Sequence, residues 1–296
     1  YISPVNEPQV SWGGDDVYQE GCHYETEELF KLYKLFAKSI KARGLDVKLS
    51  MCEVSKITSK TFDYLKYVYN DPDLREVLGT YTYHSYCSDI NYFIKSWWGR
   101  YIKKYPGVIY DMSEWCELPV TMSNKSTRSA LFMARVMAQD MFISNASFWS
   151  AWVAVSEGDE NGDGLIIANH DCSEYYVAQR YYAMAHFSKF VPEGSRLISC
   201  KKDVNDRFSS MSREKLENYI SFRTNTAAFL TPDGKIVLVI VNGGKEHTFS
   251  LSGIEGRDHL TTYTTDGNRK VELTYDGAYQ QTLTIPAYSI TTAIFE

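Results

Sequence analysis

Two glutamates in this 296-residue chain stand where a carboxylate makes a poor surface charge and a good reagent. Glu7 lies in Tyr1-Ile2-Ser3-Pro4-Val5-Asn6-Glu7-Pro8, and Glu114 in Val108-Ile109-Tyr110-Asp111-Met112-Ser113-Glu114-Trp115. Each closes a short apolar run that reads as a strand. Pro8 lacks an N–H and disfavours the helical region for the residue before it, so Glu7 is expected to be extended at a strand end. Two acids at the C-terminal ends of parallel strands are what glycoside hydrolysis requires. In retention, one protonates the leaving oxygen while the other attacks the anomeric carbon, across about 5–5.5 Å. Glu114 must then be ionised and held by donors, and Glu7 must keep a proton through burial and the charge of Glu114.

The elements that would position these acids alternate in kind. Residues 25–42 form an amphipathic helix, with Leu29, Leu32, Tyr33, Phe36 and Ile40 at three-to-four spacing and Gly44 as its stop. A strand follows at 47–53, a helix at 60–69 ending before Asp71-Pro72, a strand at 79–86 and a helix at 90–104. The Glu114 strand at 108–114 leads to a helix at 126–143, a strand at 146–155 and a last helix at 174–190. Alternation with short connections means a parallel β/α architecture, here a partial (β/α)8 barrel over 1–192. From 193 to 296 the pattern changes to short alternating strands split by turns such as Thr231-Pro232-Asp233-Gly234 and Thr265-Asp266-Gly267-Asn268, an antiparallel β-sandwich.

Composition narrows the partners. A net charge of -6 argues against nucleic acid and anionic membranes, and no run of about 18 apolar residues is present to span a bilayer. The chain has 23 Tyr and 6 Trp; most should be core, but an aromatic excess also suits sugar stacking. The six cysteines, Cys22, Cys52, Cys87, Cys116, Cys172 and Cys200, form no CxxC pair and read as reduced thiols, without metal-ligand spacing. Asp159-Glu160-Asn161-Gly162-Asp163-Gly164 echoes the start of an EF-hand loop, but position twelve is His170, so an Asx/Gly turn is expected and no metal or cofactor. Trp97 and Trp98 fall in a helix and read as packing, Glu117 as a decoy three residues beyond Glu114, and Asp111 as an in-strand acid.

The two glutamate motifs, in this order, resemble those of glycoside hydrolase family 30, a retaining clan A family built on (β/α)8 barrels. Gln19-Glu20-Gly21, His84-Ser85-Tyr86, Trp149, Trp152 and the closing Ile285-Pro286-Ala287-Tyr288-Ser289-Ile290-Thr291-Thr292 are also similar to the family pattern. The resemblance implies Glu7 as acid/base and Glu114 as nucleophile, closing the fourth and seventh barrel strands. It implies Asn6 at the sugar 2-hydroxyl, His84 and Tyr86 near the nucleophile, and Trp152 as a platform for the catalytic subsite. Trp12 and Trp115 join them as candidate sugar contacts. Val5-Asn6-Glu7-Pro8-Gln9 is most similar to the endo-β-1,6-galactanase-like branch.

With Glu7 on strand four, the pattern for strands one to three is missing, and strands 4–8 remain. An open sheet exposes apolar edges, so the expectation is a homodimer covering the open barrel edge. A polysaccharide or oligosaccharide substrate places the protein outside the cell or in the periplasm. The competing expectation is an inactive or nearly inactive barrel fragment that binds glycan or only assembles.

Overall fold

The computed structural model describes residues 1–12, 21–89, 91–118, 123–158, 163–200 and 224–296. Gly13 to Asp16, Gln19, Glu20 and residues 159–162 of the EF-hand-like run lie outside the described residues. In chain order the elements are α1 (Thr26–Arg43), β1 (Leu49–Val54), α2 (Ser59–Asn70), α3 (Pro72–Val77), β2 (Leu78–His84), α4 (Tyr92–Tyr101), β3 (Tyr110–Glu114) and α5 (Thr127–Phe142). Then come β4 (Ala146–Trp149), β5 (Val155–Glu157), β6 (Ile166–Ala168), β7 (Tyr175–Val177), α6 (Gln179–Ser188), β8 (Arg196–Ile198), β9 (Thr224–Leu230) and β10 (Ile236–Asn242). The chain closes with β11 (His247–Ser250), β12 (His259–Thr265), β13 (Glu272–Ala278), β14 (Thr282–Ile285) and β15 (Ser289–Phe295).

Two compact units divide these elements: residues 1–115 with 143–150, and residues 116–142 with 151–296. The first holds a four-stranded sheet in the order β1-β2-β3-β4, parallel throughout. Such strands are covered on both faces and need near-continuous burial. β1 meets that requirement with five of its six residues buried. α1 presents Leu29, Phe30, Tyr33, Ala37 and Ile40 on one face, with the Glu25 N–H bonded to Glu28 at its start and Gly44 left-handed at its end. The aromatic excess goes largely into packing here. Trp98 is fully buried against Phe62, Tyr81, Tyr83 and Tyr110, whereas Trp97 tilts on Phe62 and is 61% exposed, contrary to a packing role for both indoles.

Two local expectations need correcting. Residues 1–5 do not form a full strand. Ile2 makes one parallel bridge to Leu49, bonding Lys48 O and the Ser50 N–H at 2.9 Å each. The Tyr1 ring lies over Gly79, where a Cβ would come within 2.7 Å of it. Asp71-Pro72 stops α2 as expected and also starts α3: Asp71 caps α3 by accepting from the N–H groups of Asp73 and Leu74, and Pro72 takes the first turn, where its missing donor costs nothing. The proposed helix at 174–190 begins only at Gln179, because Tyr175, Tyr176 and Val177 pair with β6 instead.

In the second unit, β10 is central in a six-stranded sheet of order β13-β12-β15-β10-β9-β8, and β11 pairs antiparallel with β14. Ile240, Leu260, Leu283, Ile285, Ala293 and Phe295 form the sandwich core. α5, buried on nearly every side, packs on α6 and on the sheet of β9, β10 and β15. β5, β6 and β7 make a small separate sheet, so the strand expected over 146–155 is in fact β4 followed by β5 of another sheet. Among the described residues no helix is long and apolar enough to cross a membrane, and no two of the six cysteines are joined in a disulfide.

Candidate active site

Three strand ends in the first unit bring two acids and a histidine together. β1 ends at Glu53-Val54, β2 at His84, and β3 at Glu114, with His84 and Glu114 paired in register. Glu7 arrives from the segment before α1, its N–H bonded to Glu53 O at 2.9 Å. It is not extended: φ is +47°, a left-handed turn whose carbonyl accepts the Val10 N–H. Pro8 biases Glu7 away from the right-handed helical region without dictating which alternative is taken, and these two backbone bonds select the left-handed one.

The side chains converge on one imidazole. His84 Nδ1 lies 3.0 Å from Glu7 Oε1 and 3.7 Å from Glu114 Oε1, and Nε2 lies 3.4 Å from Glu53 Oε2. Trp12 Nε1–H donates to Glu7 Oε2 at 2.6 Å, and Tyr86 O–H donates to Glu114 Oε1 at 3.0 Å. One donor-capable atom each from Glu7, His84 and Glu114 lies within 4.8 Å of the others. His84 is buried, and burial alone would favour its neutral form. The bonds to Glu53 and Glu7 and the charge of Glu114 outweigh that, raising it from 6.5 to about 9. Burial pushes the Glu114 carboxyl up, opposed by the positive His84 and the Tyr86 hydroxyl.

Glu7, Trp12, His84, Tyr86 and Glu114 therefore meet at one place. Asn6 is exposed on the same turn as Glu7. Trp115 is buried, donates Nε1–H to Asp89 at 3.0 Å and packs on Trp149. Trp152 belongs to the second unit and is 50% exposed. Two members of the site escaped the sequence reading, Glu53 and Ser113, joined by Ser113 Oγ–H to Glu53 Oε2 at 2.5 Å. Below them Ser50, Glu53, Thr80, Thr82, Asp111 and Ser113 help line a cavity of about 360 Å³. Burial raises Asp111, and the charge of Glu53 adds to the shift.

The trio Glu7, His84 and Glu114 has the spacing of a cation cage. His84, however, has both ring nitrogens against carboxylates, and an imidazolium has no lone pair for a metal. One imidazole thus stands among three carboxylates, an arrangement able to pass a proton between them.

A family model for O-glycosyl hydrolase family 30 matches residues 1–167. The chain belongs to that family. The family-30 β-sandwich domain matches residues 221–293. A conserved exported protein of Bacteroides fragilis shares the fold with a TM-score of 0.80 at 23% identity, over 99% of this chain and 64% of that one. The family-30 endoxylanase of Clostridium papyrosolvens C71 gives 0.70 at 19% identity, over 100% and 65%. A Caenorhabditis elegans protein named as a glucosylceramidase is 30% identical over 102 residues, 33% of this chain and 17% of that protein. The chain thus spans under two thirds of the length of each of these relatives. The fold of the solved family-30 neighbours is a (β/α) barrel with a β-sandwich, of which this chain has the partial barrel and the sandwich.

Proposed function

We propose that this chain is a retaining O-glycosyl hydrolase of β-linked polysaccharide, with Glu7 as acid/base and Glu114 as nucleophile. One observation carries the reading: Glu7 and Glu114 present oxygens within 4.8 Å of each other. Inverting enzymes keep about 6.5–9.5 Å between their carboxyls to admit a water, whereas retaining ones need about 5–5.5 Å. Tyr86 supplies the donor an ionised nucleophile requires, and His84 the opposing charge. Asn6 is assigned to the sugar 2-hydroxyl and Trp152 to the ring face of the catalytic subsite. β-1,6-Galactan is the favoured substrate, on the likeness of Val5-Asn6-Glu7-Pro8-Gln9 to that branch. Export follows from a polymeric substrate, and a fold neighbour is itself described as exported.

Homodimerisation belongs to the same proposal. Tyr1, Ile109 and Phe148 line the cavity while remaining exposed, which leaves apolar surface for a second copy to cover. A monomer mass by light scattering at micromolar concentration would remove that part.

The test of the chemistry is intact mass after incubation with a panel of 2-fluoro aryl β-glycosides, which trap a retaining nucleophile as an ester. An adduct mapping to Glu114 is expected, and the reactive sugar names the substrate class. A folded sample with no adduct from any sugar would overturn the catalytic reading.

A further inference from the structure

Glu53 is the third carboxylate of the cluster, buried at the end of β1, and its position is costly to maintain. Both Cys52 and Glu53 are left-handed, with φ of +88° and +45°, and the β1–β2 register breaks between Met51 and Val54. Non-glycine residues in that region are strained and persist only where the surroundings hold them. Here the Cys52 N–H donates to Tyr33 Oη at 2.7 Å and Glu53 O takes the Glu7 N–H. The bulge turns the Glu53 carboxylate toward His84 Nε2 and the Ser113 hydroxyl.

We propose that Glu53 is a positioning residue for proton transfer: by holding His84 Nε2 it aims Nδ1 at Glu7, so that His84 and Glu7 together keep one mobile proton for the leaving oxygen. The inference rests on the reading of Glu7 as acid/base. With Nε2–H committed to Glu53, the proton that can move is the one between Nδ1 and Glu7 Oε1, 3.0 Å apart. In the first step a Glu114 oxygen bonds to the anomeric carbon and the glycosidic C–O bond breaks. Its electron pair goes to the leaving oxygen, which takes the one mobile proton as it passes from Nδ1 through Glu7, leaving Glu7 as carboxylate and His84 neutral. In the second step water adds to the anomeric carbon, its proton returns through Glu7 to Nδ1, and Glu114 leaves as carboxylate. Charge and protons close over the cycle.

The groups facing His84 are Glu7 from the first segment with Trp12 behind it, Glu53 from β1, Ser113 and Glu114 from β3, and Tyr86 beyond its own strand. Three acids around one imidazole account for a proton retained to about pH 9. The direct test is the ¹⁵N-histidine titration of His84 in wild type and Glu53→Gln, assigned with His84→Gln. Beside it goes kcat/KM against pH on the 4-nitrophenyl β-glycoside that the enzyme turns over. In Glu53→Gln the His84 midpoint is expected to fall by a unit or more, and the alkaline limb of kcat/KM to fall by the same amount. Glu53→Asp should restore most of both. A merely structural role would lower kcat at every pH and leave the limb in place.

A folded Glu53→Gln with unmoved midpoint and limb would overturn the proposal. So would a wild-type midpoint at or below 6.5, the ordinary value, a result available even if the variant does not fold. A folded wild type without turnover, whose His84 midpoint still depends on Glu53, would sink the catalytic reading and leave the hold of Glu53 on His84 standing.

Discussion

Two histidines of this chain are equally buried and titrate in opposite directions. His84, among Glu7, Glu53 and Glu114, is raised to about 9, while His186, between the hydroxyls of Thr265 and Thr292, is pulled down to about 3 by burial. Burial therefore does not define a site; the imbalance of charge around the buried group does. The same contrast separates two glutamates three residues apart. Glu114 shares one cation with two other acids. Glu117 is ion-paired with Arg180, at 3.2 Å, within a buried network that includes Ser129 and Asn124. A paired charge of that kind is structural, and an excess of acid over cation is a store of reactivity.

Substituting the two glutamates breaks this comparison most severely. Glu114→Gln should lower kcat/KM by about 10⁴-fold or more, because an amide cannot form the ester, while thermal unfolding hardly moves. Glu117→Gln should do the reverse: leaving Arg180 buried without its counter-ion costs about 3–5 kcal/mol, seen as a lower urea midpoint, with kcat of the folded fraction within a few fold. Equal rate losses in the two would erase the distinction.

The histidines sharpen it through pH. His84 binds its proton more tightly folded than unfolded, so its contribution is full below about pH 6.5 and lost as pH rises to about 9. His186 is held neutral, so its contribution is full above about 6.5 and lost as pH falls toward 3. The stability gap between wild type and His84→Gln should narrow from pH 6 to 9, and that for His186→Gln from pH 7 to 4. Chemical unfolding at the four pH values decides it, and gaps moving together would contradict the assignment. The smallest effect is a control away from both sites. Asp71→Ala removes the cap of α3 and the 2.8 Å pair with Lys34, and should cost about 1 kcal/mol in the same assay without changing either pH trend.

The acids that end apolar runs were legible because their neighbours mark them: Asn6 and Pro8 around Glu7, Trp115 after Glu114. The alternation that builds the parallel sheet was legible for the same local reason, as was the turn-split pattern of the sandwich strands. Glu53 was not. Met51-Cys52-Glu53 reads as a buried strand, and only the parallel pairing of β1 with β2, broken between Met51 and Val54, carries Glu53 to His84. The left-handed turn at Glu7 was missed because it depends on Glu53 O, forty-six residues away. The start of α6 was misplaced because Tyr175, Tyr176 and Val177 fit a helix as apolar residues and a strand as aromatic and β-branched ones, and β6 settles the choice.

Tyr33, on α1, holds the Cys52 N–H from the far side of β1, with its ring buried in the core. A phenylalanine there would fill the same space and still orphan a buried donor at a strained bulge, a penalty of about 1–3 kcal/mol. One phenolic oxygen on an outer helix thus constrains which mutations the lineage can accept, and drift or directed evolution at position 33 would be felt at the acids without touching one of them.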